Sequence, residues 1–220
     1  MEEQSFYYRR NLPHYQPANA TFFVTFRLAG SLPPDVIAKL KEEYGFLQSK
    51  LSDIRNDDRK KKLLADEHRR YFHKFDEFLD KHSTAPTWLS DPRIAHVVAE
   101  AIRYRDGNDY DLIAYCIMPN HVHLVFEIVE RFDESLSVRD NVPHYKVTDI
   151  MGSLKKHTAL EANKILCRSG QFWQHESYDH VVRSGKELDG IISYVLNNPV
   201  KAKLVSRWEE WKWSYCIFEP

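Results

Sequence analysis

Met118-Pro119-Asn120-His121-Val122-His123-Leu124-Val125-Phe126 is the stretch on which the reading of this chain turns. Its second half is apolar and β-branched, as a buried strand requires. Side chains of a strand alternate between faces, so His121 and His123 share one face and Val122 takes the other. Two imidazoles side by side on a sheet surface form a pair of ligands for a divalent metal. The strand is predicted over His121 to Val129, with Pro119-Asn120 as a hairpin or kink before it.

Around it, elements follow from pattern. Thr21 to Leu28 is β-branched and aromatic and closes on turn residues from Gly30 to Pro34, giving a first strand. Val36, Leu40, Tyr44, Leu47 and Leu51 recur at helical spacing, and Tyr71, Phe72, Phe75, Phe78 and Leu79 form a second amphipathic set, so about 35–82 reads as a helical insertion. The charged run Asp57 to Lys62 within it reads as a solvated face. Asp91-Pro92 opens a helix over about Arg93 to Tyr104, and Tyr110 to Ile117 is a second strand. Helices over Val147 to Cys167 and Lys186 to Asn197 flank a short strand at Ser177 to Arg183. The last helix is expected to stop at Asn197-Asn198-Pro199. Trp208, Trp211 and Trp213 mark a tail, about 204–220, read as a cap on the core. The order predicts an α+β fold: a ferredoxin-like βαββαβ antiparallel sheet with helices on one face, in a single domain over 1–220.

Composition bounds the classes. The chain has 220 residues, 43% of them hydrophobic and 29% charged, enough for one core and ordinary for a soluble protein. No apolar run reaches the roughly 18–20 residues needed to span a bilayer, so no membrane partner is expected. The acidic start Met1-Glu2-Glu3 does not resemble a secretory signal, and three isolated cysteines suit a reducing compartment, so a cytoplasmic setting is expected. Net charge is −1, yet five cations (Lys146, Lys155, Lys156, Lys164, Arg168) face two anions between His144 and Arg168, leaving room for a local basic surface. The stretch from Glu127 to Asp140 reverses that balance.

In the last helix Leu188, Ile192 and Val195 form a core stripe. Tyr194 and Asn198, four residues apart, project together beside it. Were this helix to pack on the sheet carrying the histidines, two imidazoles, an amide oxygen and a phenol would meet. A divalent cation held there is a Lewis acid for a phosphodiester, and a phenol is a nucleophile that needs such polarisation. Mixed nitrogen and oxygen ligands suit manganese and tolerate magnesium, and tetrahedral zinc stays compatible with the same ligand types. Taken singly, each residue also has a plain structural reading: a chance histidine pair, a packing tyrosine, a helix-terminating asparagine.

The stretch Met118 to Leu124 closely resembles the His-hydrophobic-His motif of the single-tyrosine HUH transposases. Phe172-Trp173-Gln174, Tyr178-Asp179-His180 and Tyr194 through Asn198-Pro199-Val200 resemble, in that order, the REP-associated branch. The likeness takes in Thr87-Trp88-Leu89 to Tyr115 and is weakest over 35–70. It implies that His121 and His123 bind Mg²⁺ or Mn²⁺, with Asn198 in the place of a third ligand. It implies that Tyr194 attacks DNA, forming a 5′-phosphotyrosine and freeing a 3′-OH, with Tyr178 as the rival nucleophile. The implied partner is single-stranded or hairpin DNA, which would bring the protein to the nucleoid, and the protein would act as a monomer or homodimer. Lys155, Lys156 and Arg183 are candidates for phosphate contacts, and Asn120, Arg9, Arg10 and Tyr15 for base contacts or stacking. A hairpin-binding protein without catalysis is the competing reading, and a hydrolase using the histidine pair leaves Tyr194 without a role.

Overall fold

The computed structural model describes residues 5–9, 13–17, 20–52, 57–81, 86–128 and 146–218. Arg10, the acidic start before Ser5 and most of the acidic stretch after Ile128 lie outside the described residues. Contacts divide the chain into two compact units, Met1–Leu28 with Trp88–Pro220, and Ala29–Thr87.

In the first unit, β1 (Ser5–Arg9) and β2 (Pro13–Pro17) form an antiparallel hairpin that sequence reading missed. Prolines bound β2, and neither strand carries the alternation that marks a half-buried strand. The main sheet holds β3 (Thr21–Arg27), β4 (Asp111–Ile117), β5 (His121–Glu127), β6 (Tyr178–Val181) and β7 (Ser214–Cys216). Their spatial order is β6-β3-β5-β4-β7, antiparallel throughout. With the helices α3 (Pro92–Arg103) and α4 (Lys146–Ile165), the first four of these strands make the expected ferredoxin-like βαββαβ unit. The tail contributes the fifth strand. Trp213 accepts a backbone hydrogen bond from Ile117 through its carbonyl, and Trp211 Nε1 donates to the Ile117 carbonyl at 3.0 Å.

Alternation along β5 divides the two faces. Val122, Leu124 and Phe126 point into a core with Phe22, Phe26 and the inner stripe of α3 (Ile94, Val98, Ile102) and Leu154 of α4. Each of these large side chains, fully buried, contributes about 1.5–3 kcal/mol of apolar transfer. Asp91 caps α3 by accepting from the Arg93 amide at 2.9 Å, and Pro92 stands at the first turn, where its missing N–H costs nothing. The other face carries the fifth helix of the chain, α5 (Gly185–Lys201), which packs against β4, β5 and β7. Helices on one face therefore describes α3 and α4; α5 takes the opposite face.

The expectation that the last helix stops at Asn197-Asn198-Pro199 is overturned. Proline lies inside α5, which runs on to Lys201. Pro199 cannot donate to the Val195 carbonyl, but beyond it the Ala202 amide donates to Asn198 O at 2.9 Å and the turn is recovered. Asn198 and Pro199 are both buried, so packing holds the residue before proline in a helical conformation that it would otherwise avoid.

The second unit holds α1 (Pro34–Ser52) and α2 (Asp57–Lys81), a helical pair tied by an ion pair between Glu43 and Lys74. The helices predicted over 35–82 fall here, with the charged run Asp57 to Lys62 at the start of α2. Among the described residues no helix is long and apolar enough to cross a membrane.

Candidate metal and nucleophile site

Strand register builds the floor of the site. One row of residues crosses all five strands of the main sheet: Tyr178 pairs with Thr25, Thr25 with His123, His123 with Cys116, and Cys116 with Ser214. A bulge in β4 between Leu112 and Ala114 precedes the last of these pairings. His121 lies two residues along β5 on the same face, and neither histidine is exposed.

Hydrogen bonds define the protonation pattern. Asn198 Nδ2 donates to His123 Nε2 at 2.8 Å, so that nitrogen is an acceptor and the ring proton sits on Nδ1. His123 Nδ1–H then donates to Thr25 Oγ1, also at 2.8 Å. Asn120 Oδ1 accepts from His121 Nδ1–H at 2.6 Å, which leaves His121 Nε2 facing the site. The two Nε2 atoms stand 3.0 Å apart. Burial, with a smaller contribution from the charge of Lys201, pushes His123 down to about 3, so its imidazole stays neutral at neutral pH. Two converging acceptor nitrogens at this distance repel unless a proton or a metal cation lies between them. The donor set therefore fits a divalent metal, and an octahedral ion with bonds of about 2.1 Å places nitrogens at right angles about 3 Å apart. For Asn198 to join as an oxygen ligand, its amide turns over from the donor arrangement seen here.

Tyr194 arrives from α5 on the same face. Its half-buried ring packs edge-on to His123, with centroids 5.7 Å apart, and to Phe23 at 6.3 Å. Lys201 Nζ lies 5.9 Å from the Tyr194 ring centre. The start of α5 is held by Ser184, which accepts from the Glu187 amide at 3.2 Å. The Glu187 carboxylate accepts from the Arg183 amide at 2.8 Å and contacts His180 Nε2 at 3.0 Å. The tyrosine helix is thereby tied to β6, the strand beside β3.

The remaining sequence candidates divide. His121, His123, Tyr194 and Asn198 come together. Asn120 is buried and engaged with His121, so it orients that imidazole and is not exposed for base contact. Tyr178 is buried in the floor, edge-on to Phe23. Lys155 is turned inward: its ammonium donates to the His175 carbonyl at 2.9 Å and to Ser177 Oγ at 3.1 Å, and burial lowers it to about 8. Lys156 and Arg183 are exposed, and Arg9 lies on β1. A cleft of about 930 Å³, lined by Lys155, Lys156, Gln171, Gln174 and Ser177, opens between α4 and residues 170–179. It lies on the α4 side of the sheet, away from the histidines. Thr25 and Phe23 escaped sequence reading because only cross-strand register brings them to His123.

The family described as IS200-like transposases matches residues 87–198, a span that includes the histidine strand, Tyr194 and Asn198. A Haemophilus influenzae protein described as a REP-associated tyrosine transposase is 27% identical over 105 residues, 48% of this chain and 58% of its own length. A second, uncharacterised protein of the same organism is 24% identical over 94 residues, 39% of this chain and 52% of its own. The chain thus spans little more than half the length of these curated relatives. A solved structure of a REP-associated tyrosine transposase bound to a REP hairpin is similar at 14% identity and a TM-score of 0.47, covering 94% of this chain and 80% of that one. With just over half of its residues matched by the family, this chain belongs to the IS200-like transposases.

Proposed function

We propose that this protein nicks and rejoins single-stranded DNA at hairpin-bearing sequences, using Tyr194 as the nucleophile. The observation that carries this reading is the delivery of Tyr194 and Asn198, on one face of α5, to the paired His121 and His123. His121 Nε2 and His123 Nε2 would hold a divalent metal, Mg²⁺ or Mn²⁺, with the Asn198 amide oxygen as third ligand. Such an ion, when bound, polarises a phosphodiester and offsets the charge that builds on its oxygens. Thr25 and Asn120 fix the tautomers, so that both imidazoles present Nε2 lone pairs to the metal once the Asn198 amide has turned over.

Tyr194 then attacks phosphorus, forming a 5′-phosphotyrosine while the 3′ oxygen departs and takes up a proton. The phosphotyrosine keeps the bond energy of the diester, so a later 3′-OH can reverse the step and join strands without a nucleotide cofactor. The exposed Lys156 and Arg183 serve phosphates of the flanking strand, and the half-buried Lys155 does not. Burial of Tyr178 in the sheet floor favours Tyr194 as the nucleophile.

The test is incubation with Mn²⁺ and end-labelled single-stranded oligonucleotides that carry a hairpin and randomised flanks. A covalent protein–DNA adduct on a denaturing gel is expected from wild type and not from Tyr194→Phe. An adduct that persists in Tyr194→Phe overturns the nucleophile. Hairpin binding with no adduct from wild type favours a binding module on the same fold.

A further inference from the structure

Lys201 stands in the last turn of α5, seven residues after Tyr194 and three after Asn198, so all three share one side of the helix. Long helical side chains lean toward the N-terminus, which carries this ammonium back over the turn containing Asn198. Nζ accordingly lies 5.9 Å from the centre of the Tyr194 ring. Asn198, one turn back on the same side of the helix, bonds His123 Nε2 at 2.8 Å. One exposed cation therefore sits near both the attacking phenol and the metal-ligand nitrogens. A phosphodiester engaged by those two groups at once has to place its phosphorus between them, within the reach of this side chain.

We propose that Lys201 is a catalytic residue of strand cleavage, its ammonium contacting a non-bridging oxygen of the scissile phosphate as Tyr194 attacks. The assignment rests on the nicking reading above. In the step, the bond from the Tyr194 oxygen to phosphorus forms and the bond from phosphorus to the 3′ oxygen breaks. The phenol proton passes to solvent and the departing 3′ oxygen takes one up, so protons balance and Lys201 stays charged throughout. Its contribution is electrostatic: negative charge on the phosphate oxygens grows toward the transition state, and a fixed cation at that point lowers the barrier. A surface lysine that only complements the helix C-terminus would instead act on stability, by fractions of a kcal/mol.

The experiment measures single-turnover adduct formation with Mn²⁺ and saturating hairpin oligonucleotide for wild type, Lys201→Met, Lys201→Gln and Lys201→Arg, with Lys203→Met as the control for general surface charge. A preorganised charge of this kind is worth about 10²–10³ in rate when desolvated, so exposure here sets the expectation at about 10–100-fold for the Met and Gln variants. Lys201→Arg recovers most of the rate, and Mn²⁺ affinity, oligonucleotide affinity and melting temperature stay at wild-type values. Wild-type rates in both neutral variants overturn the assignment, and so does an equal loss in Lys203→Met. No adduct from wild type overturns the nicking reading and this assignment with it. An adduct from wild type that is insensitive to Lys201 overturns the assignment alone.

Discussion

Lys155 gives the sharpest test of the described geometry, because its half-buried ammonium is held by protein acceptors where the sequence suggested a phosphate contact. Its Nζ bonds the His175 carbonyl and Ser177 Oγ, and burial moves it from an ordinary 10.5 down to about 8. The neighbouring Arg27 pushes it in the same direction, while Glu176 pulls the other way. An unfolded chain keeps this proton until the pH approaches 10.5, whereas the folded chain releases it near 8. Between those values the unfolded state binds more protons, so stability rises with pH. Below about pH 8 the cost of burying the charge is present in full, and it is relieved as the pH climbs through the window. At about 1.4 kcal/mol per tenfold change in proton affinity the displacement is worth about 3 kcal/mol, nearer 1–2 once partial exposure to water is allowed for. The assay is urea denaturation of wild type and Lys155→Met, followed by tryptophan fluorescence, at pH values from about 7 to about 10. Subtracting the two curves cancels the other titrating groups. The wild type should gain on the variant by that amount across the window. A difference independent of pH, or one of opposite sign, refutes the turned-in, hydrogen-bonded placement of the Lys155 ammonium.

Two further outcomes follow from the hydrogen-bond pattern. Asn120→Ala removes the acceptor that orients His121, and Mn²⁺ affinity measured by calorimetry should fall about 10–100-fold, as it does when such an outer partner is lost; unchanged affinity refutes His121 as a ligand in this tautomer. Trp173→Phe loses the indole N–H bond to Thr158 Oγ1 at 2.8 Å and leaves unfilled volume beside Phe26. That variant should be about 2–4 kcal/mol less stable in urea, and a loss below about 1 kcal/mol would show that the Trp173 contact carries little.

Sequence alone reached the parts of this fold whose signal is local. Period-two alternation at His121 to Phe126 and the capped stripe of α3 were legible because each element carries its own pattern. So was the ferredoxin-like order, since it follows from the succession of elements. β7 was not: three residues inside a tryptophan-rich tail have no period to detect, and their pairing with β4 depends on residues some hundred positions away. Pro199 misled in the other direction. Its local bias ends helices, and only tertiary burial of Asn198 outweighs that bias. The candidate site was half legible. Residue types and four-residue spacing pointed to His121, His123, Tyr194 and Asn198. Thr25 reaches His123 only through the register of β3 on β5, and the inward turn of Lys155 depends on how α4 packs against residues 175–177.

That register has a consequence for how the site comes into being. The two bonds that orient His123 join residues 98 and 75 positions apart, and its row in the sheet draws on all five strands. Long loops must therefore close before any of the rewarding contacts exist, which makes assembly slow and all-or-none. A fragment carrying the histidine strand without α5 would lack the Asn198 bond, and one carrying α5 without β3 and β5 would hold Tyr194 with no histidines beside it. Partial digestion or premature arrest of synthesis should then yield pieces in which His121, His123, Tyr194 and Asn198 are not assembled, so the candidate site exists only once β3, β5 and α5 are all in place.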